Sequence, residues 1–483
     1  MLKRVRIALT ALLLLAAVGV NAQVTTASMA GKVTDASNEP IIGATVQAVH
    51  QPSGSRYGTV TNVDGRYSIQ GMRTGGPYRV EISYIGYQTV IYKDITLQLG
   101  EVYNLNVEMS ESSELLNEVI VTAAKTKFTA EKTGATTNIS SAQITQLPTV
   151  NRSISDIARL SPYANGMSFA GGDGRSTNFT IDGANFNNNF GLSSNLPGGG
   201  NPISMDAIEE VQVVVAPFDV RQTNFIGGGI NAITKSGTNT FRGTAYTYYR
   251  NQDMRGNRIN GEDLGARSDE SKTTYGFTLG GPIIKNKLFF FVNYEKEKTP
   301  GEVIKYRARE DGEEAKGMVS RTLKSDMEKV YNHLKDKYGY DAGSYTSFPA
   351  DEENTKILAR IDWNITDRHR LSLRYNNTKN TAWNAPNGNS SDTGYRLNNT
   401  YRVGTQSMAF ANSMYSMDNK VQSWATDLNS RFTDKISNQL LFTYTNIEDM
   451  RGTNSSPFPF IDIMAGKDEN GNQILEPYMS AGY

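Results

Sequence analysis

From about residue 240 onward, apolar side chains take every other position in stretches of about ten residues, joined alternately by tight turns and long polar loops. In the run 369–376, Leu371, Leu373 and Tyr375 fall on one face and Arg370, Ser372, Arg374 and Asn376 on the other. Successive strand side chains point to opposite sides, so such a run has one dry and one wet face. One strand of this kind also fits a soluble sheet with a solvated side. Seven of them with alternating connections restrict the second half to an antiparallel barrel wall. The mean hydropathy of -0.47 agrees with this, because a barrel hides its apolar band in alternate residues.

The seven strands are expected near 240–250, 272–281, 287–296, 354–364, 368–377, 420–432 and 436–447. One face collects Tyr275, Phe277 and Leu279, then Leu288, Phe290, Val292 and Tyr294, then Ile357, Ala359, Ile361 and Trp363. It continues through Trp424, Leu428 and Phe432 to Leu440, Phe442 and Tyr444. The opposite face holds Arg360, Asp362, Asp427, Asn429 and Arg431, which need water or polar partners, so the first face is assigned to lipid. Connections at 282–286, 364–367 and 433–435 are short, as on the periplasmic side; those at 251–271, 297–353 and 378–419 are long, as outside the cell. Trp363 and Phe432 are then expected at the inner interface, with Tyr375, Trp424 and Tyr444 at the outer one.

The N-terminus points to export. Lys3, Arg4 and Arg6 precede an apolar run 7–20 and the small-residue pattern Val20-Asn21-Ala22, which predicts a signal peptide over 1–22 and Gln23 as the first mature residue. That run is shorter than the ~20 residues of a spanning helix. Lys+Arg and Asp+Glu both number 49, which gives no nucleic-acid footprint. With no cysteine there is no disulfide framework and no thiolate metal site.

Residues 23–109 read as a small β-sandwich. Runs at 31–33, 44–49, 58–61, 67–69, 78–84 and 102–107 are broken by turn signals such as Asp64-Gly65 and Gly75-Gly76-Pro77. The segments Gly31-Lys-Val-Thr-Asp35, Gly43-Ala-Thr-Val46, Thr61-Asn-Val-Asp-Gly65-Arg-Tyr67 and Ser83-Tyr-Ile-Gly-Tyr87 resemble the carboxypeptidase regulatory-like domain that precedes many outer-membrane receptors of Bacteroidetes. The resemblance implies no peptidase activity. A linker with a short β-prone run, Leu116-Asn-Glu-Val-Ile-Val-Thr122, occupies 110–123 and resembles a TonB box. Such a peptide offers unpaired backbone groups to a partner's sheet edge, while alternate side chains give selectivity. Composition alone favours an ordinary strand by about two to one, and the position between an exported sandwich and a plug-like segment reverses that ratio.

Residues 124–239 are similar to the plug of TonB-dependent receptors. The order is Gly171-Gly-Asp-Gly-Arg175, Asn178-Phe-Thr-Ile-Asp182-Gly183, Met205-Asp-Ala-Ile-Glu-Glu-Val-Gln-Val-Val-Val215, then Gly227-Gly-Gly-Ile-Asn-Ala-Ile-Thr-Lys-Ser-Gly237. Arg175, Asp182, Gly183, Gly227, Gly228 and Gly229 are taken as plug architecture, the glycines supplying sharp turns and close approach to the barrel wall. Asn151 is expected to cap a helix through Ile154, Ile157 and Leu160. Thr234-Lys235-Ser236 is no phosphate loop, because Thr234 replaces the glycine needed before the lysine. Asp182, Asn185, Asn187 and Asn189 lack EF-hand spacing and suit polar loop packing.

Tyr275-Gly-Phe-Thr-Leu-Gly-Gly-Pro-Ile-Ile-Lys-Asn-Lys-Leu-Phe-Phe-Phe-Val-Asn-Tyr-Glu295 closely resembles the first barrel strands of Oar-like TonB-dependent receptors. The fold expected is therefore mostly β: an N-terminal sandwich, an α+β plug, then the first part of a transmembrane antiparallel β-barrel over 240–483. The family barrel has about 22 strands, more than the residues after 240 can supply, so the chain is expected to be part of a longer receptor. Pro477 argues against a closing barrel strand at the end. In the long outer loop, Met318, Leu323, Met327, Val330 and Leu334 predict a helix within 313–338.

The resemblance implies an outer-membrane receptor that takes up, or exports, a large ligand such as a peptide, protein or glycan. Its implied partner is TonB with the inner-membrane energising complex, bound at Leu116, Glu118, Val119, Ile120, Val121 and Thr122; a surface lipoprotein lid is a further possible partner. The rival reading is an adhesin or structural barrel without transport. No cofactor, metal or catalytic site is expected: His50, His333 and His369 are the only histidines and form no zinc pattern, and no Gly-x-Ser-x-Gly elbow occurs. Trp383, Tyr395 and Tyr401 suit sugar stacking or packing among themselves.

Overall fold

A computed structural model describes residues 23–111, 119–122, 135–149, 151–188, 196–215, 222, 226–254, 256, 258–263, 270–348, 350–386, 402–467, 470–472 and 477–483. The expected signal peptide, Leu116, Glu118, Asn189, Tyr395 and Tyr401 lie outside these residues.

The N-terminal unit is a β-sandwich. Arg66–Met72, Ala27–Asp35 and Val102–Asn104 form one sheet, with Val107–Met109 also on Ala27–Asp35. Ser55–Val60, Thr45–His50, Gly75–Ser83, Val90–Leu97 and Val119–Thr122 form the other, in that order. Alternating burial drives the two together: Met29, Val33, Ile69 and Met72 meet Val46, Ala48, Val80 and Ile82 in one apolar core. The strand Val90–Leu97 escaped sequence reading. Asp94 sits at φ 62° and interrupts the alternation there.

The middle unit is a five-stranded mixed sheet, Ala135–Ser140, Ile208–Val215, Gly228–Thr234, Asn178–Ile181 and Ala184–Asn185. Gly228–Thr234 is buried throughout, as a strand covered on both faces must be. Two short helices, Ser141–Gln146 and Ile154–Ala158, flank it. The second is capped by Ser153, in a capping box with Asp156, rather than by Asn151, and it ends before the exposed Leu160. The Asn151 backbone N–H donates to Asp156 instead, at 3.2 Å.

Seven antiparallel strands follow in sequence order: Arg242–Asn251, Ser271–Ile284, Leu288–Thr299, Glu352–Asn364, His369–Asn384, Tyr415–Arg431 and Ser437–Gly452. The sheet is open, with its first and last strands unpaired to each other among the described residues. One row across its outer surface reads Leu279, Val292, Ala359, Tyr375, Trp424, Tyr444. Several members of the apolar face are exposed, Trp424 at 54% and Leu440 at 60%, while inward residues such as Phe289, Lys356, Asp362 and Arg374 are buried. This is the alternation the sequence predicts. Tyr375, Trp424 and Tyr444 fall mid-strand, however, because backbone pairing continues outward to Asn384, Tyr415 and Gly452 through residues with weaker alternation.

The long loops carry structure of their own. The predicted helix is confined to Lys324–Tyr338; Val319–Leu323 is a strand, and Met318 is exposed. Asp326 in the first turn, Lys335 and Lys337 in the last, and Gly339 at φ 64° fix the helix ends. Pro477–Ala481 forms a strand with Met408–Ala409 and Ile461–Met464, apart from the barrel sheet. These pieces enclose an apolar core of Met327, Leu334, Phe348, Phe410, Met414 and Met479, with Trp383 packed at its margin.

Candidate coupling site between sandwich, plug and barrel

Arg360 and Arg374 are direct register partners on adjacent barrel strands, and both side chains point inward. Like charges so placed repel each other unless an anion lies between them. Asp182, at the turn after Asn178–Ile181, supplies it: its carboxylate is 3.4 Å from Arg360 Nη1 and 3.3 Å from Arg374 Nε. The same carboxylate accepts the Thr234 backbone N–H at 2.9 Å and its hydroxyl at 2.6 Å. Arg360 also donates to the Thr234 carbonyl oxygen at 2.9 Å. Two residues along its strand, the fully buried Asp362 accepts two bonds from Arg360 at 3.0 Å and one from Ser372 at 2.6 Å.

The sandwich enters the same cluster. Arg73 lies 3.3 Å from Asp362 and donates to Ser236 Oγ at 3.1 Å. Thr25 donates to Asp427 at 2.6 Å, and the Arg370 guanidinium lies 3.7 Å from the centroid of the Tyr57 ring. His50 is buried against Tyr78 and bonded to Ser53 at 2.7 Å; burial pushes it down to about 3, so it is neutral in the fold. Glu210 ties sandwich to plug, accepting the Leu99 backbone N–H and the Asn138 amide, each at 3.0 Å. Burial outweighs those bonds and raises its carboxyl to about 7. A cavity of about 400 Å³ opens where the three units meet, lined by Thr25, Arg73, Glu209, Lys235, Arg360 and Asp427 among others.

Further seats of the plug on the barrel are polar as well. The Pro202 carbonyl accepts from Asn376 at 3.2 Å and Thr378 at 2.7 Å, and Ser204 donates to Glu295 at 2.8 Å. Glu295 is in turn bonded to the buried Lys356 at 2.9 Å. Phe291, Leu358 and Val421 add an apolar contact to the plug core.

The sequence-derived positions separate into groups. Asp182 and Gly183 stand at the plug–barrel contact. Gly183 has φ 78°, and a Cβ there would lie 2.6 Å from Leu441 of the barrel. Gly227, at φ 97°, and Gly228 approach Phe169 within the plug rather than the barrel wall. Gly229 pairs with Asn178 and Val214 inside the plug sheet. Arg175 is half-exposed, on Asp173, away from the cluster. Asn187 packs among polar loop groups, bonded to Phe179 N–H and Asn178. Arg73 and Arg374 had no role in the sequence reading beyond, for Arg374, a place on a wet face.

Val119–Thr122 is a strand paired in parallel with Val90–Lys93 at the edge of the sandwich, Val90 opposite Val119 and Lys93 opposite Thr122. Just upstream, the Gln88 N–H donates to the Ser110 carbonyl at 2.9 Å on the same edge.

Comparison with known proteins agrees with this layout. Residues 28–110 match the carboxypeptidase regulatory-like domain, and residues 233–304 match an outer membrane beta barrel domain. Over 376 residues the chain is 25% identical to the TonB-dependent transporter Oar of Myxococcus xanthus, covering 72% of this chain and 33% of that protein. Similar solved structures include the siderophore receptor PirA from Pseudomonas aeruginosa, at 15% identity over 66% of this chain and 42% of that one, TM-score 0.40. The outer membrane transporter YddB from Escherichia coli is another, at 16% identity over 65% and 39%, TM-score 0.44. The chain thus spans about a third of the curated relative it matches. Sandwich, plug and open barrel wall, with these two domain matches, make the chain similar in class to the outer-membrane receptors of the TonB-dependent type. Within that class the chain is Oar-like.

Proposed function

We propose that this chain provides the energy-coupling half of an outer-membrane transporter: a sandwich in the periplasm, a strand that TonB captures, and a plug that the capture pulls. The observation that carries the reading is the Arg360–Asp182–Arg374 bridge. It seats the plug on the barrel largely through ion pairs and hydrogen bonds, which exchange for water at small net cost, so the seat is releasable. An apolar seat of the same area would resist release more strongly.

Residues 116–122 act as the TonB-binding strand, with backbone pairing from Val119 to Thr122. Arg175, Asp182, Gly183, Gly227, Gly228 and Gly229 serve the plug's architecture. The apolar outer face of the seven strands meets lipid. The cargo is a peptide, protein or glycan engaged by the outer loops and the plug, with or without a lipoprotein lid. The inner-membrane energising complex supplies the work through TonB, since the outer membrane is porous and holds no ion gradient.

Deleting residues 116–122 tests this. Capture by the purified C-terminal domain of TonB is lost, and energy-dependent uptake with it, while outer-membrane insertion measured by heat-modifiable gel mobility stays unchanged. Capture retained by the deletion variant refutes the assignment.

A further inference from the structure

The pairing of Val119–Thr122 with Val90–Lys93 makes this described part of the box the outermost strand of the five-stranded sandwich sheet. A strand has two hydrogen-bonding edges. Here the sandwich occupies one, and the other is unpaired among the described residues. The chain is led onto this edge by the bridge between Tyr87 and Glu111 and by the Gln88 to Ser110 bond. An open edge on an already extended strand is the form that β-strand addition requires, and the ordering cost has been met within the chain.

We propose that the sandwich is a presentation platform: its edge strand Val90–Leu97 holds the box extended, and the incoming partner, an edge strand of TonB, adds to the outer side to continue the same sheet. This rests on the reading of residues 116–122 as the TonB-binding strand. It assigns the sandwich an interaction surface of its own. A pull on the captured strand acts first on the short pairing with Val90–Lys93, and then, through residues 123–134, on the plug.

The absence of cysteine in the chain gives a clean test. Lys93 is exposed and is the register partner of Thr122, so the full-length double variant K93C/T122C is expected to form an intramolecular disulfide on mild oxidation. V60C/T122C, which places the first cysteine on the opposite edge strand Ser55–Val60, is not. The oxidised K93C/T122C protein binds the purified TonB C-terminal domain with the same affinity as its reduced form. In the unmodified chain, the amides of Val119–Thr122 are slowed in hydrogen exchange before TonB is added. Three results overturn the platform: no disulfide above the V60C/T122C level, unprotected amides in the unmodified chain, or a loss of TonB affinity of about tenfold or more on cross-linking. The last shows that the strand has to leave the sandwich to be captured. If the disulfide and the protection are both found but the unmodified chain captures no TonB, the box assignment itself fails, and presentation fails with it.

Discussion

Arg360 and Arg374 face each other directly across two neighbouring barrel strands, and among the described residues the wall itself supplies a paired carboxylate to the first alone. Asp362 serves Arg360, but Arg374 is buried and, among the described residues, the carboxylate paired with it is that of Asp182, from the plug. The wall is therefore built to be electrostatically complete only with the plug seated.

Replacing that carboxylate exposes the dependence. Asp182→Ala leaves two buried guanidinium groups facing each other, and is expected to cost the seated plug about 3–5 kcal/mol, the usual loss when one partner of a buried pair is removed. The measurement is limited proteolysis of the plug in detergent-folded protein. Cleavage within 135–235 should rise sharply in the variant; an unchanged pattern sinks the argument.

The outward faces make a different demand. Leu373 is an exposed member of the apolar face, and Leu373→Arg is expected to lower folding stability in lipid by about 2–4 kcal/mol if it sits near the bilayer midplane. Arginine at 372, one residue along and inward, should instead perturb the ionic cluster around Asp362. Folded fractions by gel mobility in lipid vesicles separate the two; equal tolerance of Leu373→Arg and the parent would contradict the lipid-facing assignment.

Glu210 links plug to sandwich and has its carboxyl raised to about 7 from an ordinary 4.5. Between those values the folded chain holds a proton that the unfolded chain has released. Stability from this group is therefore greatest below pH 4.5, falls as pH rises to 7, and is flat above. Glu210→Gln should flatten that slope in thermal unfolding followed across the same range. A slope of the opposite sign would be incompatible with its burial.

His50 titrates in the other sense. Held near 3 against an ordinary 6.5, it stays neutral in the fold while the unfolded chain gains a proton below 6.5. Its contribution is complete above pH 6.5 and is lost as pH falls toward 3. His50→Gln should remove this acid-side loss. Because the Glu210 and His50 slopes oppose each other, each single variant should reveal the other group's dependence.

The barrel strands were legible because the bilayer and the wet interior impose a period of two that Tyr275 to Leu279 or Ile357 to Trp363 display without help from distant residues. Where burial is two-sided or bent, that signal fails. Val90–Leu97 was missed because Asp94 breaks the alternation, and the outward extension to Asn384 because the outward Asn377, Lys379 and Thr381 are as polar as the inward Asn376, Thr378 and Asn380 that face the plug. The site was half visible. Asp182 stood out from its motif, and Arg360 and Asp362 stood out as charges on a wet face. Their meeting is set by docking of segments 178 residues or more apart, for which periodicity carries no information. Arg73 shows the limit most clearly: nothing in its neighbourhood distinguishes it from any solvent-exposed arginine until the sandwich is placed under the barrel.

The described parts of the long loops have settled much of their shape during folding, since Met327, Leu334, Phe348, Phe410 and Met479 share one dry interior. The proposed cargo would meet a roof here rather than a set of free strings. Little entropy is left to surrender on contact there, so selectivity in this part of the surface rests on contour and polarity already in place, and changes to its interior should alter recognition without touching a single contact residue.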